Sequence, residues 1–125
     1  MHDGSGLLLY AAHQYFDAEN SGRYARRFDA SSLDVGVTRI RPFAEWLAAR
    51  NAYGILTEFG VPDDDPRWLT VLERFLIAIQ ADDRLVGCVY WAGGAWWGTY
   101  PLSIEPRGGQ DRPQMSVLSA FGSAR

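Results

Sequence analysis

The chain has 125 residues with a net charge of −3 and a sequence pI of 5.2, a length that fits one domain. Its basic residues are scattered arginines with no lysine among them, so it lacks the clustered basic face that nucleic acid requires. Hydrophobic residues at 47% and charged residues at 22% are ordinary for a globular protein, and no apolar run approaches the roughly 20 residues of a membrane span.

Leu7 to Tyr15 (LLLYAAHQY) is apolar and bounded by turn residues, which predicts a strand buried on both faces. A long polar connection, irregular on its composition, occupies 17–38. Arg41 to Arg50 places Phe43, Trp46 and Leu47 at helical spacing with a proline near the helix start. Ile55-Leu56-Thr57 is a second, short strand ended by Glu58-Phe59-Gly60. The aspartate run at 63–65 reads as a solvated loop in which Asp64 or Asp65 caps the next helix. Pro66 takes its first position, and Trp68, Leu69, Leu72, Phe75, Leu76 and Ile79 form its apolar stripe.

Leu85 to Trp91 (LVGCVYW) is the third strand, with Cys88 a buried small hydrophobe; a single cysteine also rules out an intrachain disulfide. An aromatic, glycine-rich loop follows, and Asp111 to Phe121 closes the chain as an amphipathic helix. The start, MHDGSG, has no basic stretch followed by an apolar one, so no signal peptide is visible. Strands without period-2 alternation, separated by helices, predict an α/β fold with a parallel sheet covered by helices.

In such folds functional groups gather beyond the carboxyl ends of the strands. Those ends carry His13 and Tyr15, then Glu58, then Trp91. Each has a structural reading taken singly: the histidine and tyrosine as packing, Glu58 as a helix cap, Trp91 as core. Taken together they have a coherent chemical use. A carboxylate attacks an anomeric carbon to form a glycosyl intermediate, a phenol orients that carboxylate and favours its charge, and an indole face is a platform for a pyranose ring.

The segments HQYFDAENSG (13–22), WLAARNAYGILTEFGVP (46–62) and GCVYWAGGAWWGTYPLSIEP (87–106) resemble the carboxy-terminal part of glycoside hydrolase family 5 cellulases, and DRPQMSVL resembles that group's last barrel helix. The resemblance implies a (β/α)₈ TIM barrel of which this chain supplies about three β/α units, matching strands six to eight. It implies retaining hydrolysis of β-1,4-glucan without a cofactor, by a family whose members are mostly secreted. By position, Glu58 matches the nucleophile, Tyr15 the residue that hydrogen-bonds it, His13 the strand-six histidine and Trp91 the platform under the sugar. Trp96 and Trp97 match the loop that approaches substrate. The Asn-Glu-Pro motif of the acid/base glutamate is absent, as are the strand-two arginine and strand-three histidine.

A partial barrel exposes two strand edges and one face. The expected remedy is self-association into a homo-oligomer, with a missing amino-terminal barrel half as the alternative. The expected partner of the site is a β-glucan or cello-oligosaccharide. An acid supplied in trans by Asp17, Glu19 or another copy's Glu58 is one way to complete the chemistry. A glucan-binding fragment without turnover is the other functional reading.

Overall fold

In the computed structural model, residues 8–29 and 32–122 are described. Strand β1 (Leu9–His13) is followed by helix α1 (Val35–Ala49), strand β2 (Tyr53–Phe59), helix α2 (Arg67–Gln80), strand β3 (Leu85–Tyr90), a 3-10 turn at Ala95–Trp97 and helix α3 (Met115–Phe121). The strands form one parallel sheet in the order β1-β2-β3. Leu7, assigned above to the first strand, lies outside the described residues, as do residues 30–31 of the connection.

The core lies between one face of the sheet and the helices. Leu56 and Phe59 from β2 meet Leu47 of α1 and Leu72, Phe75 and Ile79 of α2. The α2 stripe is as expected, with Val71 added and Leu69 only half-buried. Asp65 stands just before the helix: its Oδ1 accepts the Arg67 N–H at 3.0 Å, and its carboxylate pairs with the Arg67 guanidinium. Asp63, from the same run, pairs with Arg112. Cys88 is partly buried against the core, and burial pushes its thiol up.

Three expectations need correction. Helix α1 starts at Val35, inside the stretch read as irregular, and Pro42 lies within it rather than near its start. Burial of Gly36, Ile40 and Leu47 on one face sustains a helix that a proline would otherwise end, since tertiary packing supplies most helical stability. The closing helix begins at Met115, not Asp111. The preceding Arg112 and Gln114 are buried and tied to neighbouring loops, with Gln114 Nε2 donating to the carbonyls of Val61 and Pro101 at 3.0 Å each.

The third correction bears on function: β1 is not buried on both faces. Tyr10 packs edge-on against Trp46 of α1, while Leu9 and Ala11 on the opposite side are exposed. The same holds along the sheet. Leu9 pairs in register with Tyr53, and these are 48% and 49% exposed; Val86 and Val89 of β3 are 53% and 50% exposed. Helices cover one face of the sheet, and among the described residues nothing covers the other.

Candidate active site

Glu58 reaches the open side of the sheet because β2 is irregular at its end. Leu56 and Phe59 both point into the core, although they are three residues apart and regular alternation would put them on opposite faces. The ladders shift register here on both sides, between Ala12 and His13 of β1 and between Leu56 and Phe59 of β2. One extra residue in the strand sets Glu58 opposite His13 while Phe59 stays buried.

Two side chains meet that carboxylate. The Tyr15 hydroxyl donates to Glu58 Oε1 at 2.5 Å, and His13 Nδ1 stands 3.4 Å from Oε2. The histidine is largely exposed and the carboxylate about a quarter exposed, at 61% and 24% of their side chains. Tyr15 is buried, and burial, with its hydrogen bond to Glu58 and that group's charge, pushes the phenol well above its ordinary range. It stays a neutral donor at any working pH, and donation to a carboxylate favours the carboxylate's charged form.

Trp91 lies one residue past β3. Its N–H donates to the Phe59 carbonyl at 2.7 Å, fixing it beside the end of β2. The indole is 36% exposed, packs edge-on against Trp97 at 4.9 Å, and shares a hydrogen bond with Tyr100, whose phenol also feels the charge of Glu58. Burial, the largest influence, raises the Tyr100 phenol. Thus His13, Tyr15, Glu58, Trp91 and Trp97 are gathered at one end of the sheet. Trp96, at 92% exposed, shares the loop but stands free in solvent.

The site also holds groups that pattern reading passed over. Tyr100 hydrogen-bonds Trp91 within the electrostatic reach of the carboxylate; a tyrosine three residues after a Trp-Trp pair carries no signal of its own. Arg39, inside the stretch read as irregular, donates from Nη1 to the carbonyls of Tyr15 and Asp17 at 2.7 and 2.8 Å. Asp17 is not an available acid. It is 4% exposed, and although burial would raise its carboxyl, hydrogen bonds from the Ser21 hydroxyl and the amides of Gly22, Ser21 and Tyr24 outweigh that and hold it below its usual range. Glu19 is half-exposed and paired with Arg26 at 2.9 Å.

No group of three or more His, Cys, Asp or Glu side chains able to hold a metal ion occurs among the described residues. No helix described is long and apolar enough to cross a membrane.

Comparison with known proteins supplies the context for this geometry. No family model matches the chain. Endoglucanase 3 of Humicola insolens is 33% identical over 110 residues, which is 87% of this chain and 27% of that protein. The crystal structure of Pseudomonas stutzeri endoglucanase Cel5A in complex with cellobiose superposes with a TM-score of 0.86 at 42% identity, covering 97% of this chain and 36% of that one. XacCel5A in complex with cellopentaose gives a TM-score of 0.86 at 33% identity, over 98% of this chain and 39% of that one. The chain therefore spans about a third of the length of the proteins it matches, and its three parallel strands with their helices correspond to that share of a TIM barrel.

Proposed function

We propose, from the premise that the homologues of this chain are glycoside hydrolase family 5 endoglucanases, that it is the nucleophile-bearing, carboxy-terminal part of a retaining β-1,4-glucanase. The observation that carries this reading is the grip of Tyr15 on Glu58: a strand-end carboxylate, about a quarter exposed, held by one buried phenol and faced by one imidazole. In this role Glu58 attacks the anomeric carbon of a bound glucosyl unit, the bond to the leaving oxygen breaks, and water then hydrolyses the glycosyl-enzyme ester. The Tyr15 hydrogen bond fixes the carboxylate's rotation for that attack, and Trp91 offers an indole face to the sugar ring. Cello-oligosaccharide is the ligand class, in keeping with the cellobiose and cellopentaose complexes of the similar structures.

A retaining mechanism needs a second carboxyl roughly 5–5.5 Å away to protonate the leaving group. Among the described residues, the groups set around Glu58 are the Tyr15 phenol, the His13 imidazole and Tyr100, none of them a carboxylic acid. That acid therefore comes from polypeptide packed on the open face of the sheet, where Leu9, Tyr53, Val86 and Val89 stand uncovered. The remainder of the barrel, covalently continuous or separate, fits this position; another copy of the chain is the competing occupant.

The test is trapping. The chain is combined with an amino-terminal barrel part from a similar endoglucanase and treated with an activated 2-fluoro-cellobioside. Mass spectrometry is expected to find one glycosyl adduct, on Glu58, and carboxymethylcellulose hydrolysis is expected to disappear in Glu58→Gln. Equal hydrolysis by parent and variant would sink the nucleophile assignment. Binding of cello-oligosaccharide without turnover, weakened by Trp91→Ala, would favour a glucan-binding fragment instead.

A further inference from the structure

Tyr15 is held at more points than burial requires. Its N–H donates to Asn20 Oδ1 at 2.7 Å, and its carbonyl accepts from Arg39 Nη1 at 2.7 Å. Its ring lies flat against Gly22, where a Cβ would come within 2.9 Å of the ring carbons. Asn20 and Gly22 belong to a loop folded around one buried side chain. Asp17 Oδ1 accepts the amides of Ser21 at 2.9 Å and Gly22 at 3.0 Å, and Oδ2 accepts the Ser21 hydroxyl at 2.6 Å. The turn needs left-handed backbone at Asn20 (φ 52°) and Gly22 (φ 72°), conformations that asparagine and glycine adopt at least cost. Arg39 then ties the loop to helix α1 through the carbonyls of Tyr15, Asp17 and Ala18. A guanidinium presents five donors in a rigid fork, so one side chain spans three acceptors that a lysine cannot reach together.

Asp17 and Arg39 do not hydrogen-bond Glu58; Arg39 holds the Tyr15 carbonyl directly, and the other bonds hold the loop whose Asn20 and Gly22 brace Tyr15. A tyrosine beyond a strand end keeps χ1 and χ2 freedom, and a hydroxyl displaced by an ångström no longer makes a 2.5 Å bond. We propose that Asp17 and Arg39 are positioning residues, forming a clamp that holds the Tyr15 hydroxyl on Glu58. The segment DAENSG is then the part of the site that aims the phenol. The assignment rests on the reading of Glu58 as the working carboxylate for its relevance, but the clamp itself is observable without turnover.

The experiment uses the full chain with ¹³Cζ-labelled tyrosine. Glu58→Gln is made in the parent and in each clamp variant, and the resulting shift of the Tyr15 Cζ resonance reports whether the phenol still senses position 58. The expected result is a clear shift in the parent and its loss in Asp17→Ala and Arg39→Ala, with the Tyr90 resonance, which does not sense Glu58, unmoved. Asp17→Asn keeps the Oδ1 acceptor for both amides and is expected to retain the shift, a rescue that a general loosening of the loop would not give. Should the alanine variants fail to fold, Arg39→Lys serves instead: it keeps the charge, loses the fork and is expected to shrink the shift. A full-sized shift in Asp17→Ala and Arg39→Ala, or in Arg39→Lys where those do not fold, overturns the clamp. A shift lost as expected, alongside full hydrolysis by Glu58→Gln in the completed enzyme, would remove the catalytic reading and leave the clamp intact.

Discussion

Gly60 and Trp91 touch backbone to backbone: a methyl group on Gly60 would overlap the carbonyl oxygen of Trp91. The contact sits where the Trp91 N–H meets the Phe59 carbonyl, so a hydrogen at position 60 lets the ends of β2 and β3 close together and sets the platform beside the carboxylate. Gly60→Ala is expected to destabilise the chain by about 1–3 kcal/mol, the usual cost of forcing volume into a packed site. Urea denaturation measures this, and an unchanged midpoint would mean the strand ends are slack.

The two tryptophans of the aromatic loop should separate from Trp91 by function. Trp91→Ala is expected to weaken cello-oligosaccharide binding by roughly 2- to 12-fold, the range corresponding to about 0.5–1.5 kcal/mol of aromatic contact. Trp97→Ala removes the ring packed on Trp91 and is expected to cost less. Trp96→Ala, at a fully solvated position, is expected to leave thermal stability unchanged. Titration calorimetry with cellopentaose ranks the three, and equal losses would show that the platform is not Trp91.

Asp63 and Arg112 join the loop after β2 to the approach of α3 through an ion pair in which the arginine is 4% exposed. Removing the acid leaves a buried charge uncompensated, which typically costs about 3–5 kcal/mol. Asp63→Ala is expected to fall in that range by chemical denaturation, whereas the exposed pair Arg74–Asp34 is expected to contribute under about 1 kcal/mol. A small effect at Asp63 would mean that Arg112 swings out to water.

Stability should fall at both ends of the pH scale for separate reasons. Asp17 has a carboxyl lowered in the fold from 3.8, so below that value the unfolded chain takes up the proton first. Its contribution is present above pH 3.8 and is lost as pH falls through the lower folded value. Tyr15 is raised from 10.0, so above pH 10.0 the unfolded chain loses a proton the fold retains. That contribution is present below pH 10.0 and fades as pH rises. Melting temperatures across pH are expected to show an acid limb flattened in Asp17→Asn and an alkaline limb flattened in Tyr15→Phe.

The uncovered face of the sheet predicts a dissociation between folding and assembly. Val89→Lys changes a half-exposed position and is expected to shift the stability of the isolated chain by no more than about 0.5 kcal/mol. Light scattering is expected to show self-association, or capture of an added amino-terminal barrel part, falling sharply in the same variant. Unimpaired assembly would place the contact elsewhere.

The order of strands and helices was written in the apolar runs and their spacing, because burial against one core demands period 3.6 from α2, and the strands stand out as short apolar runs between turn residues. So was the set His13, Tyr15, Glu58 and Trp91, since chain order alone puts strand ends on one side of a parallel sheet. Three things had no local signature. The extra residue that turns Glu58 toward His13 depends on how Phe59 packs, and period-2 reasoning assigns Glu58 the wrong face. The helical character of 35–40 depends on the burial of Gly36 and Ile40, contacts made far along the chain. Asp17 and Arg39 look like loop residues in isolation, yet tertiary folding spends both on Tyr15, because a buried carboxylate and a buried carbonyl must each find donors. Residue order thus determined which groups could act together, and packing decided which way they face.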